Sequence, residues 1–279
     1  MSITCRLLGG MGNQMFIYSF ALAQAKRLGV PFQIDRSGYA SPEAYARAID
    51  PKRNAIRQCE LYQWNLMGTT RYIDRPLPVT VHEGPMPYQQ ELVDRLKDGD
   101  VVQGFFQTEK YFIDVKNDIR RAFTPRNARL DGPYAGILNA GVHSVFIHVR
   151  HGDYLNPGTK KYHGVMDEDY YREAIAYIES SYPGSKFEYF VFSDDTPWCK
   201  EFFTAPNYHV VEQDAEAIEI HAMSRCAHGI IANSSYSWWS AWLGDWNKPS
   251  HRTVIAPKRW FNEAPLDARD IVPARWVKI

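Results

Sequence analysis

FIHVRHGDYL, residues 146–155, joins an apolar run to a polar turn. Val145, Phe146, Ile147 and Val149 read as a buried β-strand that stops at Arg150-His151-Gly152-Asp153. Gly152 permits a turn that most residues resist. In an open α/β sheet, ligands bind beyond the carboxyl ends of the strands, which is where Arg150 stands. Its planar guanidinium can hold two phosphate oxygens together. Asp153 adds a carboxylate able to accept a proton. A solvated loop with a surface ion pair would use the same residues, so the rest of the chain has to separate the two readings.

Toward the C-terminus the pattern alternates. A helix is expected over Asp167–Ser180, with acids in its first turn and a stripe of Tyr171, Ala174, Ile175 and Ile178. A buried strand, Phe187–Phe192, runs into Ser193-Asp194-Asp195-Thr196-Pro197, with Pro197 suited to a helix start. A short strand Tyr208–Val211, a helix Asp214–Cys226 carrying Glu219, and a strand Gly229–Ala232 follow. Asn233-Ser234-Ser235-Tyr236-Ser237 then opens a helix bearing Trp238, Trp242 and Trp246, and Arg252–Ala256 is a last strand. Such alternation calls for a parallel sheet. The Trp residues recur every four positions, which reads as one core-facing stripe.

Toward the N-terminus, a strand Ile3–Leu8, the turn Gly9-Gly10-Met11-Gly12-Asn13-Gln14, a helix Met15–Leu28 and a strand Val30–Asp35 make one βαβ unit. The turn reads GGxGNQ, not the GxGxxG of a dinucleotide site. Its glycines let backbone N–H groups approach an anion, and Asn13 would serve equally as a helix cap. Glu43–Tyr62 reads as a helix with a solvated basic face of Arg47, Lys52, Arg53 and Arg57. Residues 68–90, rich in Pro and Thr, resist assignment. A strand Asp100–Phe106 and a helix Lys110–Phe123 precede the best linker candidate, Thr124–Gly141, with two prolines and three glycines. Domains are therefore expected at 1–130 and 131–279.

Lys plus Arg and Asp plus Glu number 32 each, which argues against a general nucleic-acid binder. With 45% hydrophobic and 23% charged residues the chain is globular rather than disordered. Cys5, Cys59, Cys199 and Cys226 are scattered and form neither a disulfide framework nor a zinc motif. The N-terminus carries no apolar targeting stretch and no run reaches membrane-spanning length, so a cytoplasmic protein is expected.

Four polar loops follow strands: Gly9–Gln14, Arg150–Asp153, Ser193–Asp195 and Asn233–Ser237. The hydroxyls and N–H groups of Ser234 and Ser235 suit a phosphate. The acids Asp194 and Asp195 suit a metal or, as the preferred reading, a structural role, with Asp195 or Thr196 capping the helix at Pro197. Taken together, GGMGNQMF, HVRHGDY, FSDD and the block from Glu219 through MSRCAHGIIANSSYSWWSAWL resemble the α-1,2-fucosyltransferase family, glycosyltransferase family 11 of bacterial type. The motifs run in the family's order over residues 9–246, and HxRxGDY with IIANSSYSWW carries the specificity.

The resemblance implies an α/β fold of GT-B type, two Rossmann-like domains facing a cleft. The first would be the acceptor side with its Gly-rich loop, the second the GDP-fucose-binding side. No cofactor or metal is implied. Arg150 would bind the β-phosphate and stabilise leaving GDP, and His148 would line the nucleotide pocket. Asn233, Ser234 and Ser235 would contact the donor phosphates, Glu219 the guanine N–H groups, and Gly10, Gly12 and Asn13 the donor from across the cleft. Asp194 and Asp195 would order the site. Many members have two arginines where this chain has Arg150-His151, whereas the related protein O-fucosyltransferases keep only the first. The implied reaction inverts GDP-fucose onto O2 of galactose in an oligosaccharide or polysaccharide, with Asp153 as candidate base. A GT-B transferase with another nucleotide sugar and a non-catalytic nucleotide- or glycan-binding module are the alternatives. The bacterial members suggest work at the inner face of the membrane through peripheral contact.

Overall fold

The computed structural model describes residues 1–39, 49–50, 55–56, 58–67, 70–84, 87–155, 157–212, 214–247, 252–262 and 266–279. The chain forms two compact units, Met1–Arg126 with Pro265–Pro273 and Asn127–Ala264 with Ala274–Ile279.

In the first unit the strands are β1 (Ile3–Arg6), β2 (Phe32–Asp35), the antiparallel pair β3 (Ile49–Asp50) and β4 (Ala55–Ile56), β5 (Arg71–Ile73), β6 (Val81–His82) and β7 (Val101–Gln103). Five of them form one parallel sheet in the order β5-β2-β1-β7-β6. Helix α1 (Met11–Leu28) crosses from β1 to β2, and buried Phe16, Ile17, Tyr18 and Phe20 surround its axis rather than forming a stripe. It ends at Gly29, whose φ of 69° lets its N–H reach back to the Ala25 and Lys26 carbonyls.

This helix starts at Met11, four residues before the sequence pattern placed it, so Gly12, Asn13 and Gln14 form its first turn. Gly10 is the cap, and Asn13 is not. Gln14 does not point outward. It is fully buried, donating to the Gly9 and Gln58 carbonyls and accepting from Glu60 N. Gln58 and Glu60 lie more than forty residues away in sequence, where no local pattern reveals them. The helix expected over Glu43–Tyr62 is likewise replaced, where described, by the β3–β4 pair and a 3₁₀ turn at Leu61–Gln63. Arg47, Lys52, Arg53 and Arg57 lie outside the described residues. The Pro-rich stretch supplies β5 and β6, the two edges of the sheet, where proline is tolerated. After α2 (Gln90–Arg95), the expected Lys110–Phe123 helix is broken into two 3₁₀ turns and α3 (Lys116–Ala122).

The second unit contains α4 (Ala135–Ala140), β8 (Ser144–Val149), α5 (Pro157–His163), α6 (Glu168–Ser181), β9 (Glu188–Ser193) and α7 (Thr196–Phe202). It continues with β10 (Tyr208–Val210), α8 (Glu216–Arg225), β11 (His228–Ile230), α9 (Ser235–Gly244), β12 (Val254–Ala256) and β13 (Val277–Lys278). All six strands are parallel, in the order β10-β9-β8-β11-β12-β13. β8 is buried throughout. Alternation sends Val145, Ile147 and Val149 into one core with Tyr171, Ala174 and Ile178 of α6, leaving Phe146 and His148 for the other face. Gly229 is glycine because a Cβ there would stand 2.2 Å from the Phe146 ring. Trp238 and Trp242 are fully buried and stacked at 6.0 Å, so these two members of the stripe are core, whereas Trp246 lies beyond the end of α9 and is half-buried.

Because β9, β8 and β11 are neighbours and parallel, their carboxyl ends share one rim. The loops after Ser193, Val149 and Ile230 therefore meet there, at the edge where α/β sheets hold ligands.

Candidate active site

Arg150 leaves β8 with about a quarter of its side chain exposed, its Nη1 2.8 Å from Asp194 Oδ2. The guanidinium carbon lies 5.5 Å from the centre of the Tyr154 ring. The other Asp194 oxygen accepts from His151 N at 2.9 Å. Gly152 is required here for space, not for a positive φ: a Cβ would stand 2.3 Å from Asp194 Oδ2. Asp194 thus holds the guanidinium and the turn that carries it.

His151 turns away from the rim. It is buried, its Nδ1 is 3.1 Å from Asp195 Oδ2, and its ring meets Trp198 edge-on at 4.4 Å. The other Asp195 oxygen caps α7 by accepting from Trp198 N, while Asp195 N donates to Ser193 Oγ. His151 is therefore tied through Asp195 to the α7 cap.

On the β11 side, Ser234 caps α9, its hydroxyl accepting from Tyr236 N, and half-buried Ser235 is the first helical residue. Asn233 is buried, with Nδ2 donating to the His163 and Trp260 carbonyls. Its amide fixes two loops; its Oδ1 has no hydrogen-bond partner among the described residues. Glu219, in the first turn of α8, accepts from Asp214 N at 2.9 Å and from Tyr236 Oη–H at 2.8 Å. Burial pushes its carboxyl above the usual range, against the pull of these two hydrogen bonds. The Tyr236 ring lies 5.3 Å from that of His148, so one tyrosine links Glu219 to the strand that ends in Arg150.

Sequence reasoning missed Tyr236, Tyr154 and Tyr134, whose hydroxyl donates to Asp214 Oδ2. The sole signal for Tyr236 and Tyr154 was their position inside the motifs, and Tyr134 falls in the stretch read as a linker, where nothing marked it. Asp153 lies in the 3₁₀ turn Gly152–Leu155, and its side chain is outside the described residues. Gly10, Gly12 and Asn13 belong to the first unit, where Asn13 Oδ1 accepts from Gln107 Nε2 at 2.6 Å and Gly9 O accepts from Tyr39 Oη. Among the described residues no set of three His, Cys, Asp or Glu side chains is gathered to hold a metal ion. No helix among them is long and apolar enough to cross a membrane.

His148 is 4% exposed, and its Nδ1 has no hydrogen-bond partner among the described residues. Burial, and then the charge of Arg150, lowers its pKa to about 3, so the ring is neutral at pH 7. In an unfolded chain a histidine protonates near pH 6.5. Between these values the unfolded state binds the extra proton, so stability falls as pH drops from about 6.5 toward 3. In urea unfolding, the wild type should lose about 2–3 kcal/mol more than His148→Asn between pH 7 and pH 4.5. Equal losses would show that the ring is not held neutral.

A model of the family described as Glycosyl transferase family 11 matches residues 101–279. The Alpha-1,2-colitosyltransferase of Escherichia coli is 30% identical, over 99% of this chain and 98% of that one. Galactoside alpha-(1,2)-fucosyltransferase 1 of Mus musculus is 25% identical, over 84% of this chain and 61% of that one. Among solved structures, fucosyltransferase NodZ from Bradyrhizobium superposes with a TM-score of 0.51 over 86% of this chain and 92% of that one, at 14% identity. At that identity the likeness shows the fold, two Rossmann-like units of GT-B type, and nothing of the activity.

Proposed function

The chain belongs to glycosyl transferase family 11, and from that premise we propose that it moves L-fucose from GDP-fucose to O2 of a galactose residue in a glycan, with inversion at the anomeric carbon. One observation carries the reading. Arg150, the Ser234–Ser235 helix start and Glu219 are grouped by adjacent elements of the second unit around an uncharged, buried His148.

In the reaction the acceptor hydroxyl oxygen bonds to the anomeric carbon as the bond from that carbon to the diphosphate breaks. GDP leaves with the electron pair, and the hydroxyl proton passes to a base, for which Asp153 is the candidate. Negative charge grows on the diphosphate in the transition state. Arg150 and the N–H groups at the start of α9, which follow adjacent strands of one sheet, would receive it. Glu219 offers carboxylate oxygens to the two N–H donors on the edge of guanine.

A second reading is favoured by the likeness, over nearly the whole chain, to a protein named for colitosyl transfer. Colitose is fucose without its 3-hydroxyl, and the same phosphate and base contacts would serve either donor. The test is calorimetric titration with GDP, UDP and ADP, followed by turnover with GDP-fucose and GDP-colitose on a β-galactoside, the new linkage read by NMR. Selective GDP binding and an α-1,2 fucoside formed with the higher kcat/KM is the expected result. Preference for GDP-colitose would establish the second reading, and absence of GDP binding by folded protein would overturn both.

A further inference from the structure

In the first unit, β1, β7 and β6 are adjacent and parallel, and the loops beyond their carboxyl ends are locked together. Glu83 follows β6. Its Oε2 accepts from the backbone N–H of both Phe105 and Phe106, at 2.8 and 2.9 Å, in the loop beyond β7. The Tyr111 hydroxyl donates to the same carboxylate. Gly104 leaves room for this clamp, since a Cβ there would be 2.4 Å from the Glu83 Cβ.

The clamp holds an unusual turn. Phe106 has a φ of 51°, the only positive value at a non-glycine among the described residues. A bulky side chain seldom adopts it, and it persists where surrounding contacts over-determine the backbone. Here those contacts are the Glu83 carboxylate and the buried Phe106 ring, stacked on Phe20 with centroids 3.8 Å apart. The consequence is a pair of displayed groups. Phe105 is turned outward, 40% exposed, and Gln107 reaches Asn13 in the first turn of α1.

A strained backbone that exposes a phenyl ring beside two coupled amides, at the carboxyl ends of parallel strands, has the form of a ligand contact. A pyranose matches it: one face is a set of C–H bonds suited to an aromatic ring, and its edge is a ring of hydroxyls suited to amides. We propose that the Gly104–Gln107 turn is the platform for the acceptor saccharide, with Phe105 under the sugar ring and Gln107 and Asn13 at its hydroxyls, which gives Asn13 to the acceptor and not to the donor where the family resemblance put it. This rests on the glycosyl-transfer reading above, which assigns the donor nucleotide to the second unit. Glu83 is a positioning residue that aims Phe105.

The test uses Phe105→Ala and Phe105→Tyr in the full chain. Saturation-transfer NMR with methyl β-D-galactopyranoside reads acceptor contact without turnover, and GDP titration reads the nucleotide site separately. Phe105→Ala should weaken the galactoside ring-proton signal and raise acceptor KM about tenfold, while Phe105→Tyr stays within about twofold of wild type. GDP affinity and melting temperature should be unchanged in both. An acceptor signal and KM indifferent to Phe105→Ala overturn the proposal, as does a wild type that gives no galactoside signal. If GDP fails to bind while the galactoside signal depends on Phe105, the nucleotide assignment falls and this one stands.

Discussion

Arg150→Ala is expected to cut kcat by about 10²–10³-fold, with a much smaller rise in the KM for the nucleotide sugar. The asymmetry follows from when the charge appears. GDP-fucose already carries a charged diphosphate, so part of the guanidinium's attraction is present in the ground state and shows in KM. The additional charge that arrives as the glycosidic bond breaks is felt only in the transition state, and its stabilisation shows in kcat. Stability should barely change, because the ion pair with Asp194 is partly exposed and such pairs contribute little. Arg150→Lys keeps the charge and loses the two-pronged geometry, so it should fall between the two. Steady-state kinetics with thermal melting as control decides the matter. Turnover by Arg150→Ala within a few-fold of wild type would remove Arg150 from the chemistry, and with it the proposed use of the β8 rim.

What was legible in the sequence were the features that depend on near neighbours. The β8 strand, a cap on the helix at Pro197, which Asp195 supplies, and the burial of Trp238 and Trp242 follow from periodicity or a local motif, and they stand in the structure. The failures have the opposite character. The start of α1 was misplaced because Gln14 is satisfied by Gln58 and Glu60, which only the fold brings near. β5 and β6 are two or three residues long, too short for any period to show. His151 stands where many family members have a second arginine, but sequence gives neighbours and not directions; in the structure its ring meets Asp195 and Trp198. Phe105 was passed over because nothing local announces that Glu83 will bend the backbone beside it.

Asp245→Ala is expected to cost about 3–5 kcal/mol of stability, the usual penalty for stranding a buried charge. Arg252 is the charge stranded. Its side chain is 3% exposed and Asp245's is 7%, with Nε 3.4 Å from Asp245 Oδ1. The same carboxylate accepts from Arg275 Nε and Trp276 Nε1, each at 2.8 Å. Losing it would leave Arg252 with neutral carbonyl acceptors, those of Cys226, Ala227 and Ala241, and no counter-charge. Relaxation is blocked on the helix side, because Gly244 is packed so closely that a Cβ would lie 2.5 Å from Arg252 Nη2 and 2.8 Å from Ser224 O. Adding Arg252→Met to Asp245→Ala should recover a large part of the loss, since the pair is then replaced and not broken. Urea unfolding followed by tryptophan fluorescence measures both, with Trp276 and Trp238 as nearby reporters. A single-variant loss under 1 kcal/mol, or no recovery in the double variant, would mean that Arg252 finds water on relaxation. The carboxylate anchors the C-terminal end of α9, whose other end carries Ser234 and Ser235. Activity of Asp245→Ala should therefore track its folded fraction, falling with temperature ahead of wild type while the KM of the surviving folded enzyme stays unchanged.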